Sequence, residues 1–175
     1  MKKDIFKDEL HLIQNESLRK IALKLLDYVP DYFYRLPASS TGKYHPEFAR
    51  GEGGLVRHTK AGMILANELL GLKQSQFTMY QADLIMIAIL FHDAWKYGVS
   101  EEKHTRKDHA EIATKQLSTL LKNEKYFREE DTVFILQGVL AHMGQWGNRE
   151  PKLPHEKFIH MIDYIISRKF IEFNF

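Results

Sequence analysis

The sequence predicts an all-α chain folded as a single helical bundle, and three observations carry that prediction. Apolar residues recur at spacings of three and four along most of the chain, as they do on helices with one buried face. No segment keeps the period-two alternation of a half-buried strand. Glycine, proline and serine gather between the periodic segments, where they punctuate rather than interrupt. The 175 residues suit one domain with a sizeable core, and no repeat or low-complexity linker divides 1–175.

The first ten residues mix Lys2, Lys3, Asp4, Lys7, Asp8 and Glu9 with few apolar ones, unlike a signal peptide. Over 16–29, Leu18, Ile21, Ala22, Leu25, Leu26 and Val29 predict a helix that Pro30 ends. Residues 31–53 hold Pro37, Ser39, Ser40, Gly42, Pro46, Gly51 and Gly53 and read as a long loop, of a length usually tied to function. Over 54–70, Leu55, His58, Gly62, Leu65, Ala66 and Leu69 share one helical face. A helix is expected over 79–97, closing at Gly98; its stretch 84–91 is apolar all round, so it is buried centrally. Those eight residues are too few to cross a bilayer, which takes roughly 20. Asp108 with Glu111 resembles a capping box opening a helix to about Leu121. Helices over 130–143 and 156–171 complete the bundle.

Composition narrows the chemistry. A formal net charge of +2 gives no strong electrostatic footprint for long nucleic acid and leaves short or single-stranded nucleic acid open. There are no cysteines, so disulfides and thiolate zinc sites are excluded, and any metal must sit on nitrogen and oxygen. A cytoplasmic protein with no membrane association is the expectation.

The apolar run stops at His92-Asp93. Burying an unpaired carboxylate costs several kcal/mol or forces a large pKa shift, and a divalent cation relieves that cost. Asp163, between Ile162 and Ile166 on the inner stripe of the last helix, has the same need. His58 lies on an apolar stripe, where a lone histidine is more often a satisfied core residue. Taken together, His58, His92, Asp93 and Asp163 face inward from three helices and point to a metal site. His109 opens a helix and His142 closes one; taken singly they read as a surface residue and a helix cap. His11, His155 and His160 have no companion signal and read as surface residues.

The order of these residues resembles the HD-domain metal-dependent phosphohydrolase superfamily. Tyr34-Arg35-Leu36-Pro37-Ala38-Ser39, Tyr44-His45 and Gly53-Gly54-Leu55-Val56-Arg57-His58-Thr59 resemble the start of the HD domain of YhaM-type 3′–5′ exoribonucleases. His92-Asp93-Ala94-Trp95-Lys96 is similar to the HD-x-x-K form, with Trp95 where glycine is common. Ala141-His142-Met143-Gly144-Gln145-Trp146-Gly147 resembles that group's fourth-histidine segment, and Met161-Ile162-Asp163-Tyr164 its terminal aspartate helix. The likeness covers about 34–169. Three features depart from that group: it carries an OB-type module ahead of the HD domain, often a second histidine at the place of Met143, and a small residue at the place of Trp95.

The resemblance implies a divalent ion (manganese, iron, magnesium, cobalt or nickel) on His58, His92, Asp93 and Asp163. It implies a phosphate contact from Lys96, which the sequence alone reads as an ordinary helix-end lysine. His109 and His142 would hold a second ion with Asp93 bridging, or bind phosphate directly. The reaction implied is hydrolysis of a phosphoester of a nucleotide or short nucleic acid by metal-activated water, with Asp93 and Lys96 catalytic. A catalytically idle module that senses a nucleotide is the alternative. In the loop, Ser39, Ser40, Lys43 and His45 are candidate substrate contacts, against the equal reading of solvated loop polarity. Trp146, and less so Trp95, are candidates to stack a base. The tail 165–175 carries more apolar residues than one inner helical face needs, which predicts a homo-oligomer. Light scattering at micromolar concentration is expected to return at least a dimer mass; a monomer mass rejects the expectation.

Overall fold

The computed structural model describes residues 2–43 and 45–175; Met1 and Tyr44 of the loop motif lie outside the described residues. Among the described residues there are seven α-helices and no strands: α1 (Lys7–Leu10), α2 (Glu16–Leu25), α3 (Gly54–Leu70), α4 (Met79–Phe91), α5 (His109–Leu121), α6 (Glu129–Ala141) and α7 (Pro154–Ile166). The all-α bundle expected from periodicity is the fold observed. No helix among the described residues is long and apolar enough to cross a membrane.

Helix α4 is the axis of the molecule. Every residue from Asp83 to Phe91 is buried. Helices α2, α3, α6 and α7 pack around it, and α5 stacks on the outside of α6. A helix with no polar face is stable only at such a position, because its apolar surface then leaves water on all sides. Its start is a capping box: Thr78 Oγ1 accepts the Gln81 N–H at 3.2 Å, and Gln81 Oε1 accepts the Thr78 N–H at 3.0 Å. The buried Asp83 accepts the backbone N–H groups of Gln14 and Asn15, both at 2.8 Å, and so fastens the N-terminal segment to the core.

Several boundaries differ from expectation, each for a local reason. The helix expected over 79–97 stops at Phe91. Beyond it the chain tightens into successive three-residue turns, Ala94 N–H to Phe91 O, Lys96 N–H to Asp93 O and Gly98 N–H to Trp95 O. The Tyr32 hydroxyl holds this segment by donating to Gly98 O and accepting from Tyr97 N–H. Asp108 precedes α5 without capping it, because the Arg106 guanidinium engages both its oxygens at 2.8 Å. The last helix starts at Pro154 and ends at Ile166, short of residue 171. Past it, Phe173 and Phe175 pack edge-on against Phe48, so part of the apolar tail folds back on its own chain, while Phe170 stays 76 % exposed.

The long loop 31–53 contains two 3-10 turns, Asp31–Tyr34 and Glu47–Ala49, and is sewn to the start of α3. Gly53 N–H bonds Arg35 O, Leu55 N–H bonds Leu36 O, and Ala38 N–H bonds Ala49 O. The Arg57 guanidinium donates to Phe48 O and Arg50 O. Gly54 makes the crossing possible: a Cβ there would stand 2.3 Å from Ala49 O and 3.1 Å from Pro37 Cα. Gly54→Ala is therefore expected to destabilise the protein by roughly 1–3 kcal/mol, read as a lower denaturation midpoint with unchanged slope. An unchanged midpoint would mean that the loop is not held at this crossing.

Candidate metal centre

Four histidines and two aspartates converge where the ends of the helices meet the loop. His58 comes from α3, His92 and Asp93 from the end of α4, His109 from the first position of α5, His142 from just past α6, and Asp163 from α7. The two groups capable of holding an ion are His58, His92, Asp93 and Asp163, and Asp93, His109 and His142. Asp93 belongs to both. Its Oδ2 lies 3.5 Å from His58 Nε2 and 3.4 Å from His92 Nε2, while its Oδ1 lies 3.0 Å from His109 Nε2 and 3.5 Å from His142 Nε2. Asp163 Oδ1 lies 3.1 Å from His58 Nε2 and 3.6 Å from His92 Nε2.

The tautomers decide what this cluster can bind. Nδ1 of His92, His109 and His142 stands 2.6, 2.7 and 2.6 Å from the carbonyl oxygens of Ile89, Arg106 and Val139. A carbonyl only accepts, so each Nδ1 carries the proton and each neutral ring presents a bare Nε2 lone pair inward. His109 Nε2 and His142 Nε2 are thus two lone pairs 3.1 Å apart. Among the described residues, His92 Nε2 and Asp93 Oδ1 are buried with no hydrogen-bond partner. With so few donors among them, these buried acceptors favour a cation, either a proton on His92 or a metal ion. The donor set fits one: ligands about 2.1 Å from an ion and at right angles are roughly 3.0 Å apart.

Charge follows the same logic. Burial would raise the Asp93 carboxyl, but the Lys96 ammonium and His92 outweigh it and hold Asp93 well below the usual carboxylate range. Asp163 is held low in the same way, by His58 and His92 against burial. Burial alone would lower His92, yet the Asp93 and Asp163 carboxylates raise it to about 10. Burial depresses His58 and His142. Lys96 Nζ sits 2.5 Å from Asp93 Oδ2.

A cavity of about 520 Å³ opens over the cluster, within the usual size range of small-molecule sites. Ser39, His45, Lys96, His109, His142, Trp146 and Asp163 line it, so seven of the residues singled out from sequence share one cavity. His45 tilts over His58 with ring centroids 5.5 Å apart, and both its nitrogens are buried without a partner among the described residues. Burial, then the nearby Lys96 charge, depress it to about 3, so it is a neutral imidazole. Lys43 lies in an adjoining depression with Arg168 and Lys169 rather than in this cavity. Ser40 turns to Thr105. Trp95 is 3 % exposed and belongs to the core, so it stacks no ligand. His155 and His160 also differ from the surface placement expected: His155 is buried against Phe134, and His160 Nδ1 donates to His142 O. Gly144 admits His160 there, since a Cβ on it would stand 2.2 Å from that ring. Thr105, Tyr164, Ser167 and Arg168 line the cavity without having been singled out, as does Met143, noted only as a departure from the resembling group. Tyr164 and Arg168 follow Asp163 by one and five residues, and their place in the segment 156–171 read as the last helix was the available signal.

A helical bundle that gathers histidines and aspartates from five of its helices around one cavity has the donor groups that could hold a divalent metal ion. The HD domain family matches residues 55–167, and the chain belongs to that family, whose members are generally metal-dependent phosphohydrolases. No curated protein and no solved structure matches the chain.

Metal titration of chelator-treated protein is expected to show saturable binding that Asp93→Ala abolishes; retained binding in that variant would exclude Asp93 as a ligand. An ion must displace the proton on His92, whose folded value of about 10 lies above the ordinary 6.5. Affinity is therefore expected to rise with pH across that window, by about tenfold per unit for each proton released. Calorimetry in buffers of different ionisation enthalpy counts those protons.

Proposed function

We propose that the protein is a divalent-metal-dependent phosphohydrolase acting on a phosphoester of a nucleotide or short nucleic acid. The observation that carries this reading is the set of inward Nε2 lone pairs and carboxylate oxygens, fixed by backbone carbonyls and open to a cavity on one side. His58, His92, Asp93 and Asp163 would hold one ion. Asp93, His109 and His142 would hold a second, with Asp93 bridging. An ion in this setting lowers the pKa of water and polarises a phosphoryl oxygen. The likeness of the loop, His142 and Asp163 segments to YhaM-type exoribonucleases supports the nucleotide class of substrate.

The chain's own residues do the rest by positioning and charge, which is most of what phosphoryl transfer asks of a protein. Lys96 is anchored through Asp93 at the cavity floor, where its remaining N–H donors face an incoming phosphate. Neutral His45, with no partner for either nitrogen among the described residues, has an N–H to give to a phosphoryl or leaving-group oxygen. Ser39 and Thr105 add hydroxyls at the rim. His92 and His142, held by helix-end carbonyls, cannot swing away from the reacting centre.

Lys96→Met keeps much of the stem and removes the ammonium. It is expected to retain the fold and to lose roughly ten- to a thousandfold in kcat/KM, about 1.4–4 kcal/mol. Activity within twofold of wild type would remove Lys96 from the phosphate site. If wild type hydrolyses no nucleotide, cyclic nucleotide or short oligonucleotide with manganese, magnesium, cobalt, nickel or iron, the protein is a nucleotide sensor instead.

A further inference from the structure

The mouth of the cavity carries a feature that metal binding does not require. Trp146 and Tyr164 are 52 % and 41 % exposed, and their rings lie nearly parallel, 14° apart, with centroids separated by 5.7 Å. The Arg168 guanidinium sits 4.5 Å from the Tyr164 ring centre and 5.7 Å from that of Trp146, and its Nε donates to Tyr164 O. All three line the same cavity as Lys96, His109 and Asp163. Large aromatics left half in water contribute little to folding, since the area they keep exposed is the area that would stabilise the core. The other tryptophan, Trp95, is buried and does that work.

The position of this cluster is fixed by the metal centre. Tyr164 is the neighbour of Asp163, and Arg168 follows four residues later, just past the end of α7. Trp146 ends the 3-10 turn Gly144–Trp146, which starts two residues after His142, and its ring lies 6.2 Å from that of His160, the residue bonded to His142 O. A flat ligand on these rings is therefore tethered at a set place relative to the ion-binding groups. Arg168 and Lys96 favour an anionic ligand and disfavour a cationic one such as an alkylammonium.

We propose that Trp146, Tyr164 and Arg168 form a nucleobase subsite, in which the base stacks on the aromatic–guanidinium surface while its phosphate lies over Lys96. This rests on the phosphohydrolase reading above and assigns what selects the substrate there: the base, through its π face. Every base offers such a face, so the subsite favours nucleotides over base-free phosphoesters and discriminates weakly among bases.

With only two tryptophans and Trp95 buried, fluorescence quenching reports on Trp146. Wild-type protein is titrated with adenosine 5′-monophosphate and with ribose 5-phosphate, in EDTA and again with magnesium. The nucleotide is expected to quench and ribose 5-phosphate not to. Trp146→Leu is expected to bind the nucleotide about five- to a hundredfold more weakly by equilibrium dialysis, and Trp146→Phe to keep most of the affinity. Equal binding of the two ligands by wild type, no binding of the nucleotide in either condition, or wild-type affinity in Trp146→Leu would overturn the subsite. Hydrolysis is scored separately. Equal kcat/KM for the two compounds overturns the subsite and leaves the phosphohydrolase standing. Quenching and selective binding without hydrolysis of either compound support the subsite, and the phosphohydrolase then stands or falls on the wider panel of substrates and metals.

Discussion

The structure depends on a set of acceptors forced to face one another. Nε2 of His92, His109 and His142 and the oxygens of Asp93 and Asp163 meet in a buried space with too few protons to separate them. Left alone, such a cluster is costly, and the chain can relieve it in only two ways. It can gather protons, as the raised value of His92 records, or it can take up cations. Protons and metal thus compete for the same lone pairs, and this makes the centre both a binding site and a conditional element of stability.

What enforces the arrangement is a local device used three times. His92, His109 and His142 each donate through Nδ1 to the carbonyl three residues earlier. For His92 and His142 that carbonyl belongs to the last turn of a helix, α4 and α6, where carbonyl groups lack an intrahelical partner. One bond satisfies the orphan carbonyl, fixes the tautomer and aims the opposite nitrogen at the cavity. The long loop closes the other side. Gly54 lets it cross α3 closely, and Tyr32 ties it to the turns that present Asp93 and Lys96.

The helices, and the Asp93 and Asp163 carboxylates of the candidate ion-binding set, were legible from one-dimensional signals, whereas His58, His109 and His142 were weak taken singly and gained weight only together and through the family resemblance. An apolar run ending in His92-Asp93, and an aspartate between isoleucines at 163, leave few arrangements that do not cluster carboxylates indoors. Boundaries were less legible where long-range bonds decide them. The helix at 79–97 could not be stopped at Phe91 without knowing that Tyr32 captures Tyr97 and Gly98, 65 and 66 residues away. Asp108 has the right spacing for a cap, but Arg106 reaches it first. His155 and His160 read as surface residues because their partners, the Phe134 ring and His142 O, come from another segment. The aromatic cluster at the mouth was half legible: Trp146 stands within a motif, whereas Tyr164 and Arg168 acquire meaning only when α7 and the turn that follows it bring them against it.

Charge supports the proposal of an anionic substrate for this cavity. Without an ion, the negative charges of Asp93 and Asp163 are balanced by Lys96 and a protonated His92, so the floor is close to neutral. A divalent ion that displaces the His92 proton leaves the floor with a net positive charge, and a second ion on His109 and His142 increases it. A neutral ester gains little from that change, whereas a phosphate gains at every step, because the floor is buried and poorly screened. Lys96 is more than a helix-end lysine on this account. Its bond to Asp93 keeps a positive charge on the floor even before an ion arrives, so under the proposed function phosphate and metal would be drawn to the same place in either order.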